Sequence, residues 1–187
     1  MINTHFSSSK RTTVRTFTLF ALLLGFIMAL VSFPCLSQAA NDGKAKPASM
    51  EEYKEIAKTM VHGVAAGLGG TLATVKSENK RIDLIRSFIA PIRFYPDNSG
   101  YFYVYDSKCV SIAHATQKDL QGKNLYDYKD VKGKYVIRAL SEASKKGGGF
   151  VDFFWVKPGS KEESAKLGYV EPIPGTDYFI GTGVYLP

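Results

Sequence analysis

Apolar residues recur every three or four positions from Tyr53 to Val75 and then, from Tyr101 onward, at every second position. A chain with that change of period must place a long amphipathic helix against a set of strands. Ser49, followed three residues later by Glu52, is the reciprocal capping pair of a helix start. Behind it Tyr53, Ile56, Met60, Val64, Leu68, Leu72 and Val75 form one stripe, which predicts a helix with that stripe inward. Gly63, Gly67, Gly69 and Gly70 interrupt it, each costing about 1 kcal/mol against alanine in a helix interior. Four such residues in one helix point to close approach by another part of the chain rather than to a hinge.

The remaining elements follow from the same two periods. A second helix is predicted from Arg81 to about Ala90, with Ile82, Ile85 and Ile89 on one side and Pro91 at its end. Residues 101–105 and 110–115 read as two strands joined by the turn Asp106-Ser107-Lys108-Cys109, a hairpin. A third helix, capped by Asp130 and with Tyr135, Val136, Ala139, Leu140 and Ala143 inward, stops at Lys145-Lys146-Gly147. Strands follow at residues 150–155, 166–171 and 178–185, separated by a loop at 157–164 and a turn at 172–177. Strands segregated from a long leading helix imply an α+β fold, an antiparallel sheet with helices on one side.

The first forty residues stand apart. Lys10, Arg11 and Arg15 precede an uncharged run from Thr16 to Gln38, followed by Ala39-Ala40, the pattern of a secretory signal cut after Ala39 or Ala40. An uncleaved inner-membrane anchor over residues 16–38 is the alternative. Residues 41–48 have the composition of a flexible spacer, which leaves 49–187 as one domain of the periplasm or the secreted space. The leader carries three of the 24 basic residues and none of the 17 acidic ones, so the rest has 21 basic against 17 acidic residues, a net +4. Those charges do not cluster into a stripe, and nucleic-acid binding is not indicated. Export leaves Cys109 as the one thiol, so no internal disulfide is expected. It is read as a spectator, with an intermolecular disulfide as the alternative.

Arg93-Phe94, Gly100 through Asp106, Ala113-His114, Leu120-Gln121-Gly122-Lys123-Asn124-Leu125, Gly147-Gly148-Gly149-Phe150, Trp155-Val156-Lys157-Pro158, Lys166 through Val170 and Ile180 through Tyr185 together resemble the single Cache sensor domain of the second subtype. The resemblance covers residues 49–187. It implies a PAS-like five-stranded antiparallel sheet with a long leading helix, an extracytoplasmic location and a pocket for short carboxylates such as acetate, propionate or pyruvate. Family members sit in chemoreceptors or sensor kinases between two membrane spans. This sequence departs from the pattern in three places. It carries two residues after the last strand, which reads as a stand-alone exported domain; Ala115 follows the motif histidine where a proline is usual; and Cys109 occupies a turn where an Asp-Gly type is common.

A carboxylate taken out of water needs a cation and several donors. Arg93, with its two parallel donors, and Lys166, a point charge, are the first candidates; the alternative for each is a surface charge with its stem on aromatics. Tyr101, Tyr103 and Tyr105 share one strand face, and of these Tyr103 and Tyr105 are assigned to the ligand. His114 can donate from either ring nitrogen, although a lone strand histidine is more often structural. Trp155, of the same parity as Phe153, supplies an apolar wall. Lys166 and Tyr169 lie three apart and cannot both face a pocket from a regular strand, so Lys166 is preferred and Tyr169 kept as a weaker candidate. Gly181 and Gly183 clear one face for a ligand or, in the preferred reading, a helix.

No nucleophile and base, Cys-x-x-Cys pair, His-Glu-x-x-His helix or phosphate loop is present, so neither enzymatic activity nor a cofactor or metal is expected. The expected partners are a small organic acid and a membrane receptor or kinase. The competing reading is a ligand-independent module that pairs with a membrane signalling protein, or with itself through the long helix, with Leu68 and Leu72 at the contact.

Overall fold

The computed structural model describes residues 48–186. The leader, with its signal or anchor readings, lies outside the described residues, as does nearly all of the spacer. Three helices, α1 (Met50–Ala73), α2 (Glu78–Ile89) and α3 (Val136–Lys145), accompany five strands, β1 (Tyr103–Asp106), β2 (Ser111–His114), β3 (Gly149–Val156), β4 (Glu163–Pro172) and β5 (Tyr178–Tyr185). The strands form one antiparallel sheet in the order β2-β1-β5-β4-β3. This is the expected α+β architecture. No described helix is long and apolar enough to cross a membrane.

Helix α1 starts where the capping pair places it. Ser49 Oγ accepts from the Glu52 amide at 3.3 Å, and the Glu52 carboxylate returns the bond to the Ser49 amide. Its buried face differs from the expected stripe. Ala57, Val61, Ala65, Leu68, Gly69 and Leu72 are buried, whereas Ile56 is 40% exposed and Tyr53, Met60 and Val64 are half-buried. The sheet is met by the face that carries alanine and glycine, because small residues let a helix approach closely. At Gly69 an added Cβ would lie 3.0 Å from Pro174. Gly63, Gly67 and Gly70 face open space, so close packing accounts for one glycine of the four. Leu68 and Leu72 are core residues, so a charge placed there would test folding rather than pairing.

The helices do not share one side of the sheet. His62 of α1 reaches Glu171 of β4 at 3.1 Å, while Val136, Ile137 and Leu140 of α3 line a cavity with Lys166 of β4. Residues 166 and 171 have opposite parity on a regular strand, so α1 and α3 lie on opposite faces. Helix α2 contributes Ile85 and Ile89 to the core and donates from Arg86 Nε to the Ile112 carbonyl at 2.8 Å.

Asp130 does not cap α3, which begins after Tyr135. Its carboxylate instead accepts from the amides of Lys132, Lys134 and Phe154 at 2.9–3.0 Å, closing a turn and tying it to β3. The stop after α3 is as expected, with Gly147 and Gly148 at φ 95° and 125°. In the first hairpin turn Cys109 adopts φ 67°, the conformation that favours glycine, and its side chain is buried, which removes it from any partner chain. β4 begins three residues before the expected position, at Glu163.

The glycines of α1 give a paired test. Gly67→Ala fills open space in a helix interior and should raise unfolding free energy by about 1 kcal/mol. Gly69→Leu meets Pro174 and should lower it by about 1–3 kcal/mol. Urea titration of the two variants beside wild type measures both.

Candidate functional site

Pairing of the strands assembles a set of side chains on the face covered by α3. Tyr103 pairs with His114 on one side and Gly181 on the other, and Lys166 pairs with Phe153 and Tyr185. Three glycines clear the space these groups occupy. An added Cβ at Gly181 would stand 2.6 Å from the Tyr103 ring, one at Gly168 would stand 3.0 Å from Tyr103 Oη, and one at Gly183 would stand 2.9 Å from Lys166 Cε. The room at Gly181 and Gly183 is therefore taken by Tyr103 and Lys166, not by a helix or directly by a ligand.

Between sheet and helix lies a small cavity lined by buried residues. Its floor is Tyr101, Tyr103, Tyr105, His114, Trp155 and Lys166, with Phe153 beside them, and its roof is Val136, Ile137 and Leu140 of α3. The cavity volume is about 10 Å³. That is on the scale of a single water.

Lys166 is 1% exposed. Its Nζ sits over three tyrosine rings, 4.0 Å from the centroid of Tyr101, 4.6 Å from Tyr185 and 5.6 Å from Tyr103. No carboxylate among the described residues comes within ion-pair distance of it. Each desolvated cation–π contact contributes about 0.5–2 kcal/mol, against several kcal/mol for removing an ammonium from water. Desolvation wins, and burial holds the Lys166 pKa well below the usual lysine range.

His114 lies in the same aromatic layer, with Tyr101, Trp155 and Tyr103 at ring-centroid distances of 5.1, 6.0 and 6.2 Å. Its Nδ1 accepts from the Gln117 amide at 3.0 Å, which places the proton on Nε2. Burial, then the nearby Lys166 and Arg93 charges, push its pKa down to about 3. The ring is a neutral donor at neutral pH. A β-bulge sets its orientation: Val104 pairs with Ala113 but Tyr105 with Ser111, so Ile112 is the extra residue and Ser111, not Ile112, shares the face of His114.

The hydroxyls form a directed chain. Tyr185 donates to the Val156 carbonyl at 2.8 Å, so Tyr101, 3.1 Å away, donates to Tyr185. Tyr103 donates to the Thr182 carbonyl at 3.3 Å. Trp155 Nε1 donates to Gln117 Oε1 at 2.7 Å, so Gln117 fixes both the indole and the histidine tautomer.

Of the seven residues chosen from sequence, Tyr103, Tyr105, His114, Trp155 and Lys166 come together at this cavity. Arg93 and Tyr169 do not. The Arg93 guanidinium is bonded to the carbonyls of Ala90, Ile92 and Ala115, and the residue is exposed, so its donors are directed at backbone. Tyr169 lies on the α1 face, where it donates to Glu171 at 2.8 Å and packs against Phe150, as the parity of Lys166 requires. The selection from sequence missed Tyr101, Phe153, Tyr185 and the three α3 residues. Strand parity marks Tyr101 and Phe153 as partners of residues already chosen; the register that brings α3 over them has no local signal.

A family model described as Cache domain matches residues 46–187. The sensor histidine kinase MctS of Rhizobium johnstonii is 38% identical over 87 residues, 46% of this chain and 19% of that protein. The crystal structure of a methyl-accepting chemotaxis protein from Vibrio parahaemolyticus RIMD 2210633 is similar at 32% identity and a TM-score of 0.62, covering 72% of this chain and 89% of that one. A Cache chemosensory domain solved for its recognition of carboxylic acids is similar at 26% identity and a TM-score of 0.62, covering 75% and 100%. The chain spans less than a third of the length of the curated relatives it matches.

The buried histidine makes stability pH-dependent. As pH falls below about 6.5 the unfolded chain binds a proton that folded His114 refuses until about pH 3, so this group removes stability across that window. His114→Gln should flatten the slope by up to about 1.4 kcal/mol per pH unit, measured by urea unfolding between pH 7 and pH 4.

Proposed function

The chain belongs to the Cache domain family, and we propose that it is an extracytoplasmic sensory domain that binds a short carboxylate, such as acetate, propionate or pyruvate, in the Lys166 cavity. The observation that carries this reading is the buried, unpaired ammonium of Lys166 beside the neutral donor His114. A carboxylate supplies the opposite charge that the described residues leave out. Lys166 provides the attraction and His114 Nε2–H a directed donor, while the hydroxyls of Tyr101, Tyr103 and Tyr185 are committed to acceptors within the protein. The similar domain solved with carboxylic acid recognition in view supports the same ligand class. Arg93 acts at longer range, as a positive charge behind Ala115 rather than a direct contact.

Binding and signalling, not catalysis, suit this set of groups. A ligand of four to six heavy atoms gains at most about 1.5 kcal/mol per atom, which limits affinity to a range from tens of micromolar to just below micromolar. The signal passes to a membrane receptor or kinase of the kind its relatives represent. If no acid binds, pairing through the outer faces of α1 and α2, where Ile56 and Phe88 are exposed, becomes the better reading.

Calorimetry of the purified chain against acetate, propionate, pyruvate and lactate tests the proposal. Lys166→Met should weaken binding by about 2–5 kcal/mol while leaving the domain folded. Because the bound anion favours the charged form of a lysine whose pKa burial has lowered, binding should take up a proton wherever the free lysine is neutral, and affinity should fall as pH rises above that lowered pKa. Titration in buffers of different ionisation enthalpy reads that proton directly. Affinity that does not change with pH would remove Lys166 from the contact.

A further inference from the structure

The two walls of the cavity differ in chemistry. The polar groups at it come from the sheet and from Tyr101 just before β1: the Lys166 ammonium, His114, the Trp155 indole and the tyrosine hydroxyls. Helix α3 contributes Val136, Ile137 and Leu140, which are all aliphatic and all at most 1% exposed. A carboxylate drawn to Lys166 and His114 therefore directs its alkyl end at α3. The free volume is on the scale of one water, so the distance from sheet to helix limits that alkyl end.

Helix α3 is also fixed from outside. The Arg138 guanidinium lies 3.8 Å from the ring centroids of both Tyr126 and Tyr135 and pairs with Asp127, and its Nε donates to the Tyr126 carbonyl at 2.7 Å. The Asp130 turn holds the segment before the helix to β3. An acid of four or more heavy atoms exceeds this free volume and enters only as lining side chains move aside, so with the helix held at this end the bulk of its side chains sets how much room they yield.

We infer that Ile137 and Leu140 are the specificity-determining residues of this domain, setting the longest alkyl chain of the acid that it accepts. The inference rests on the carboxylate reading above. Shortening either side chain lengthens the acceptable acid, and enlarging Leu140 shortens it. Each additional methylene that finds room is worth about fourfold in affinity, the equivalent of about 0.8 kcal/mol.

The test is calorimetry of the full chain with acetate, propionate, butyrate and pentanoate, in wild type, Leu140→Ala, Leu140→Phe and Ile137→Val. Wild type should lose at least tenfold in affinity at one step of the series. Leu140→Ala should move that step to longer acids, with about a fourfold gain per methylene beyond it, and Leu140→Phe should move it to shorter ones. Ile137→Val removes a single carbon and keeps the question answerable if Leu140→Ala fails to fold; it should relax the same step by a smaller factor. Lys166→Met, which removes the charge, should weaken all four acids alike. If wild type binds and the α3 variants scale all four affinities by one common factor, this inference is wrong and the carboxylate reading stands. If wild type binds no acid, both fall together.

Discussion

A lysine held away from water over three tyrosine rings, with no carboxylate beside it among the described residues, sets the terms for the rest of this molecule. Cation–π attraction to Tyr101, Tyr185 and Tyr103 offsets part of the desolvation of Lys166 and no more. The surrounding fold has to hold the group inward. It does so with Gly183, which leaves room for the lysine stem, with Gly181 and Gly168, which let Tyr103 lie across the sheet, and with a helix that closes the layer from above. These features are costly for stability alone, since glycine weakens a strand and a buried charge weakens a core. Their concentration at one cavity supports the proposal that it is a binding site rather than ordinary interior.

The electrostatics of the site are conditional. His114 is held neutral, and Lys166 is pushed toward neutrality by burial, so the charge facing the cavity is not fixed. Arg93 contributes field without contact, because its donors are committed to three carbonyls. A permanently charged arginine in the position of Lys166 would impose a full desolvation penalty in every state. A lysine can shed its proton instead.

Much of this was legible from the amino-acid order, and what was missed has physical causes. The capping pair at Ser49 and Glu52, the period-2 run at Tyr103 and the glycine stop at Gly147 are local signals, and they placed the long helix, the sheet and the end of α3. Parity alone separated Lys166 from Tyr169. The buried face of α1 is legible in part: Leu68 and Leu72 are buried as the stripe requires, whereas contact with the sheet selects Ala57, Ala65 and Gly69 over Tyr53, Ile56 and Val64. Asp130 looked like a helix cap because its distant partner, the Phe154 amide, is 24 residues away. Arg93 looked like a ligand group because composition cannot tell that backbone carbonyls already surround it. The bulge at Ile112, which decides that Ser111 and His114 look the same way, is a property of pairing and has no signature in β2 by itself.

Strand β4 carries the ammonium on one surface and, five residues later, Glu171 on the other, where it meets His62 of the leading helix. Cavity and helix are therefore divided by the thickness of one polypeptide ribbon and joined by its covalent backbone. The lysine and the carboxylate that meets the leading helix thus stand five residues apart on a single strand, with no intervening element between them.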